Sequence, residues 1–310
     1  MKYQACCWTR ISTFLLLCLL RSSSLFGQAQ CPGNVALVRY HSLDHSQIGV
    51  PVRINDSGPY EFLLDTGAQL TVVEPSLAAE LHLPTPDAVG VISVTHYAEA
   101  PVALAERVEV GSVAAQRPMV AVENLGRLRT LYPKVRGKLG ESFLANFDVL
   151  IDYAHKILCL DESGAMREQM HGELVPLVAR ESQPGNLPVA QPVLISARLN
   201  SDDSRDTILR LDSGTNVALL YAAHLEAPLW KQMQNARQCA AMGGAQVSLT
   251  DMPPQDLRIG ARLLRGVAFM TPVRKGNIVT IAGEDGLLPT TLFKRVFISH
   301  ADHFVMFDPR

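Results

Sequence analysis

Two aspartates carry the chemistry that this sequence offers. Asp65 ends the run Phe62-Leu63-Leu64-Asp65-Thr66-Gly67-Ala68, and Asp212 ends Ile208-Leu209-Arg210-Leu211-Asp212-Ser213-Gly214-Thr215. Each stands where an apolar run stops and the chain turns on a glycine. Desolvating a carboxylate is costly, so an acid at the end of a buried strand is either a plain turn residue at the surface or kept for a reaction. A single Asp-x-Gly is ordinary turn chemistry. A second copy 147 residues on changes the reading. Each copy returns to apolar residues, Leu70, Val72 and Val73 in the first and Val217, Leu219 and Leu220 in the second. The pattern points to a paired-carboxylate site. Two carboxyl groups face to face cannot both ionise cheaply, so one keeps its proton and the pair offers an acid and a base together. Such a pair activates a water molecule and needs no cofactor and no metal.

The elements that must position these acids read as short strands. Val50 to Leu64 is a β-hairpin around the turn signal Asn55-Asp56-Ser57-Gly58-Pro59. A short helix is expected over Glu74 to Leu81, with strands over Val89 to Thr95 and Val102 to Val110 joined by Tyr97 to Pro101. Gly111 to Arg117 reads as a turn. Gly137 to Phe147 reads as a strand running into a short helix, and Asp148 to Tyr153 with Lys156 to Asp161 as a closing hairpin. Glu173 to Pro188 loses periodicity, so residues 173–190 read as a linker.

The second half replays the first. Asp256 to Gly260 matches Arg107 to Gly111, Gly286 to Phe293 matches Gly137 to Leu144, and Ala222 to Ala227 takes the place of the short helix. The offset is 147 at the aspartates and 149 at Gly111/Gly260 and Gly137/Gly286. A nearly constant offset over three landmarks indicates an internal duplication. Many short strands and few helices make each copy mostly β. The expected domains are 30–172, the linker 173–190, and 191–310.

Residues 1–29 read as a signal peptide, with Lys2 and Arg10 before an apolar run to Leu20 and small residues at Gly27-Gln28-Ala29. The run is too short for a comfortable membrane span, so the mature chain is expected to be exported, periplasmic or secreted, with an uncleaved anchor as the alternative. Removing Lys2, Arg10 and Arg21 takes the formal charge from −2 to −5. Hydrophobic residues make up 47% of the 310, enough for a substantial core. No basic stripe argues for nucleic acid. Of six cysteines, Cys31, Cys159 and Cys239 remain after cleavage. Three are not a disulfide framework, although one pair is open. Cys159, in an apolar run, reads as a buried small hydrophobe.

With Asp65-Thr66-Gly67-Ala68 and Asp212-Ser213-Gly214-Thr215 each followed by an apolar strand and a Gly- and Leu-containing segment, the chain resembles the two-lobed aspartic proteases of the pepsin and retropepsin group, and the bacterial retropepsin-like members most. The resemblance covers nearly all of the mature chain. It implies a two-lobed pepsin-like acid protease fold, an aspartic endopeptidase activity on peptide or protein substrates, and a monomer, since one chain completes the site. It implies catalytic roles for Asp65 and Asp212, which share a proton as the pairs of this group are known to do. Gly67 and Gly214 would allow close approach of the two loops, while Thr66 and Ser213 would hydrogen-bond across them. Thr215 is expected to donate to Asp212 and make it the more acidic partner. A substrate-covering flap would involve Tyr97 at a loop tip and Gly243 in the second lobe.

His300 with His303, and His41 with Asp44 and His45, have spacings seen in metal sites but read as polar turns and loops. No serine sits in a nucleophile elbow. The rivals are a non-catalytic peptide-binding protein of the same fold, a metal-dependent hydrolase and a structural envelope protein.

Overall fold

The computed structural model describes residues 30–44, 46–92, 97–180, 190–199, 202–221, 236–240, 246–272 and 283–309. The leader, the middle of the linker, the expected helix at 222–227 and Gly243 lie outside them.

The hairpin that leads to Asp65 follows from its sequence pattern. In Ile48–Ile54 the residues Val50, Val52 and Ile54 are buried while Pro51 and Arg53 are exposed, the period-2 signature of a strand with one face on the core. The chain reverses at Asn55 and Asp56, both with positive φ (48° and 63°). These two residue types tolerate that tight hairpin conformation. It returns as Ser57–Leu64, whose last three residues, Phe62, Leu63 and Leu64, are wholly buried. This strand is central, with Ile48–Ile54 antiparallel on one edge and Val135–Leu139 parallel on the other. Such a placement explains why its end is a continuous apolar run rather than an alternation.

The duplication is visible as topology. The first-lobe sheet runs Asp87–Ile92, Tyr97–Leu104, Met119–Val122, Thr71–Val73, Val135–Leu139, Ser57–Leu64, Ile48–Ile54, Arg107–Val110, Val113–Gln116. The second-lobe sheet runs Ala236–Ala240, Gln246–Asp251, Phe269–Pro272, Ala218–Leu220, Gly286–Pro289, Asp202–Asp212, Leu194–Leu199, Gln255–Ile259, Arg262–Val267. Position for position these are the same strands of the two copies. The parallel pairs also recur: Met119–Val122 with Thr71–Val73 and Val135–Leu139 with Ser57–Leu64, then Phe269–Pro272 with Ala218–Leu220 and Gly286–Pro289 with Asp202–Asp212.

A third sheet joins the copies. Its order is Ala36–Arg39, Ile157–Asp161, Asp148–Asp152, Arg295–Ser299, Phe304–Phe307, Val175–Pro176. Val149 pairs with Ile298 and Leu150 with Phe297, so the two closing hairpins lie side by side. The fold is mostly β, built on these three sheets.

Four local expectations need correction. The stretch Val102 to Val110 is two strands, broken where the Glu106 and Arg107 amides both donate to Asn55 Oδ1 (2.9 and 3.1 Å). Gly111 to Arg117 contains a strand, Val113–Gln116, paired back on Arg107–Val110. Val175–Pro176, inside the expected linker, is an edge strand on Phe304–Phe307. Cys159 is buried but is not a lone hydrophobe, because it is disulfide-bonded to Cys31.

Candidate active site

Both aspartates sit at the ends of central strands, and their loops meet. The second residue of each loop makes the join. Thr66 Oγ1 donates to Leu211 O (3.0 Å) and accepts from the Ser213 amide (3.0 Å). Ser213 Oγ donates to Leu64 O (2.9 Å) and accepts from the Thr66 amide (3.1 Å). All four bonds are buried, where hydrogen bonds are electrostatically strong and costly to leave unmade.

The third residue sets the distance. A Cβ on Gly67 would lie 2.6 Å from Asp212 Oδ2, and one on Gly214 would lie 2.7 Å from Asp65 Oδ1. No side chain fits either position, so only glycine lets each loop press on the opposite carboxylate. That same point on Gly214 is 3.2 Å from Asp212 Oδ1, so one methyl-sized position touches both acids.

Both acids are buried, Asp65 at 0% and Asp212 at 1% exposure, yet their surroundings differ. Asp212 Oδ1 accepts from the Gly214 amide (2.7 Å). Asp65 has no hydrogen-bond partner on either carboxylate oxygen among the described residues. It faces instead the ammonium of Lys138, 3.9 Å from Oδ2. Burial, then the charge of Asp65, pushes Asp212 up to about 8, against the opposing pull of the Gly214 amide, Arg210 and Lys138. The pair therefore holds a proton at neutral pH, and it titrates as a unit.

The remaining expected residues fall as follows. Thr215 does not reach Asp212. Its hydroxyl donates to Val217 O (3.2 Å) and accepts from the Val217 amide (3.3 Å), so the turn consumes it, and Asp212 is raised rather than lowered. Tyr97 borders residues 93–96, which lie outside the described residues. It is the first residue of Tyr97–Leu104 and pairs with Ile92, because 97–101 continue the strand. Gly243 lies outside the described residues. His300 is no solvated turn residue. Its ring bonds Glu141 Oε2 (2.8 Å) and Phe147 O (2.7 Å), with the side chain 11% exposed. Asp44 instead accepts from the Ser46 and Gln47 amides, and His41 pairs with Glu61. Among the described residues no cluster of three or more His, Cys, Asp or Glu is placed to hold a metal.

Sequence reasoning passed over four contributors. Arg210, two residues before Asp212, donates to Gly67 O (2.6 Å) and pairs with the buried Glu284. Gln47 Nε2 donates to Gly214 O (3.0 Å). Lys138 stands beside Asp65. The signal for Arg210 and Lys138 was a cation inside an apolar strand leading to the site. Nothing in the sequence marks Gln47 or Glu284.

Such loops define a paired-carboxylate site on a duplicated β architecture. Residues 50–143 match the family model described as aspartyl protease. Among solved structures, the chain is similar to the aspartic proteinase from Irpex lacteus, at 13% identity and a TM-score of 0.47, covering 88% of this chain and 98% of that one. A comparison with curated proteins gives no match.

Proposed function

We propose that the protein is an aspartic endopeptidase in which Asp65 and Asp212 activate a water molecule against a peptide bond. The observation that carries this is the mutual seating of Gly67 on Asp212 and Gly214 on Asp65. The ionised partner takes a proton from water, the water attacks the carbonyl carbon, and the protonated partner hydrogen-bonds the carbonyl oxygen. The proton taken from water then passes to the amine nitrogen as the C–N bond breaks and the carbonyl re-forms as the carboxyl product, and no covalent enzyme intermediate forms. The substrate is an extended peptide lying between lobes 30–172 and 191–310, its backbone pairing with strand edges near the site. Residues 173–190 link the lobes.

One chain supplies both acids, so the protein acts as a monomer. It works outside the cytoplasm. The leader-like N-terminus supports this, as does the disulfide Cys31–Cys159, because such bonds persist in oxidising compartments. Among the described residues no helix is long and apolar enough to cross a membrane.

The test is cleavage of a mixed peptide library from acidic to neutral pH by wild type, Asp65→Asn and Asp212→Asn. Turnover by wild type, insensitive to chelators, blocked by a statine-type peptide and lost in both variants supports the reading. Binding without turnover under any condition would make the protein a peptide-binding relative instead.

A further inference from the structure

The surroundings of Lys138 extend that reading to the roles within the pair. Lys138 lies in Val135–Leu139, beside Leu63 in one neighbouring strand and Val72 in the other. Its side chain is 10% exposed, and its Nζ stands 3.9 Å from Asp65 Oδ2 and 4.0 Å from Glu123 Oε2. At the duplicated position, 149 residues on, the chain has Leu287. The cation is therefore not part of the repeated plan, and it makes the two sides of the site unequal.

We propose that Lys138 is a positioning residue: its ammonium holds the single negative charge of the pair on Asp65 and leaves the shared proton on Asp212. Asp65 is then the base and Asp212 the acid. The argument is one of nearest charges. Asp65 has no hydrogen-bond donor among the described residues, so the ammonium is what compensates its charge. Asp212 has the Gly214 amide but, among the described residues, no ion pair of its own. The cation nearest to it along the chain, Arg210, spends its guanidinium on Glu284 and Gly67 O. Glu284 is also met by Arg180.

Among the described residues, other charged groups of the first lobe are paired elsewhere. Glu74 meets Arg129, Arg136 meets Glu80, Glu61 meets His41, and Glu141 turns to His300. Tyr153 and Tyr221 are pushed up, burial first, and stay neutral. Among the described residues, only Glu123 competes for Lys138. The raised Asp212 agrees with this assignment. A unit charge about 4 Å away in a poorly solvated site favours the charged carboxylate strongly. The pair thus keeps its reactive singly ionised state to lower pH than it would without the lysine.

The test is carboxyl-carbon NMR of aspartate-labelled protein, titrated from acidic to alkaline pH, with Asp65→Asn and Asp212→Asn to assign the two signals. Loss of the first proton from Asp65 is expected. In Lys138→Met the lower step of the pair should rise by about one pH unit or more, while Lys138→Arg should stay near wild type. Glu123→Gln should move the step down, and this variant serves if Lys138→Met does not fold. A lysine that only packs would move neither step. A titration in Lys138→Met or Glu123→Gln that overlays wild type, or a first proton lost from Asp212, overturns the proposal. The readout needs no turnover. An inactive wild type would sink the peptidase reading while this titration still decided the role of Lys138. Where turnover is present, the acid limb of kcat/KM should follow the same shifts.

Discussion

Thr66 and Ser213 each give a proton to the carbonyl that precedes the other's aspartate, and each takes the other's amide. The two loops are thus closed by four bonds from two small side chains. Thr66→Val keeps the shape and removes the hydroxyl, leaving Leu211 O and the Ser213 amide unpaired. We expect a loss of about 2–4 kcal/mol in denaturant unfolding. Ser213→Ala should cost a similar amount, and the double variant clearly less than the sum, because the groups share one network. Additive losses in this cycle would mean that the loops are held by something else.

The raised Asp212 also makes a statement about stability. Its native pKa of about 8 lies above the ordinary 3.8, so the native state binds a proton that the unfolded chain releases. Its contribution is fully present below pH ~4 and is lost as pH rises through the native value. Asp212→Asn removes this penalty and keeps an acceptor for the Gly214 amide. Its Tm should exceed that of wild type by roughly 5 °C near pH 7. The gain should vanish at pH 4. An equal gain at both values would contradict the burial argument.

His300 gives the opposite dependence on partner and the same sign with pH. Burial pulls it down, but the Glu141 carboxylate and its hydrogen bond, with the Phe147 carbonyl, outweigh this and raise it above 6.5. The ion pair is therefore complete below pH ~6.5 and is lost as pH rises through the native value. His300→Gln should destabilise by about 3 kcal/mol near pH 6, with a smaller cost near pH 9. Glu141 follows Gly140 directly, and its amide donates to Ala68 O (2.8 Å). A cost independent of pH would show that the contact is packing alone.

The Cys31–Cys159 disulfide spans 128 residues. It ties the start of the described chain to Ile157–Asp161. In the chain-entropy view, closing so long a loop restricts the unfolded state considerably. A Cys31→Ser, Cys159→Ser double variant should lose about 3–4 kcal/mol in urea unfolding. Reduction of the wild type should reproduce that loss, and unchanged midpoints would contradict it.

Much of this was legible in the sequence, for identifiable reasons. The Asp-Thr-Gly and Asp-Ser-Gly copies were readable because burial and turn chemistry act within a few residues. The repeated strand order was readable because the offset of landmarks survives where residue identity does not. Residues 97–101 read as a connection rather than a strand next to the edge because Tyr-Ala-Glu-Ala-Pro alternates weakly and ends on a proline. Thr215 was misjudged because a turn hydroxyl has nearer backbone partners than the carboxylate three residues back. The disulfide, the His300–Glu141 pair and the Gln47 contact join residues far apart in the chain. Only folding reveals such partners. Lys138 was visible as an oddity, a charge between Gly137 and Leu139, but its meaning depended on which acid it would face.

The six-stranded sheet has a consequence for the chain's integrity. Arg295–Ser299, from the far end, is wedged between Asp148–Asp152 and Phe304–Phe307. A proteolytic nick within 181–189 would leave this platform whole, and the two fragments would remain clasped. Either fragment made alone would present a bare strand flank, inviting aggregation. The duplicated halves have become obligate mates, inherited and folded together.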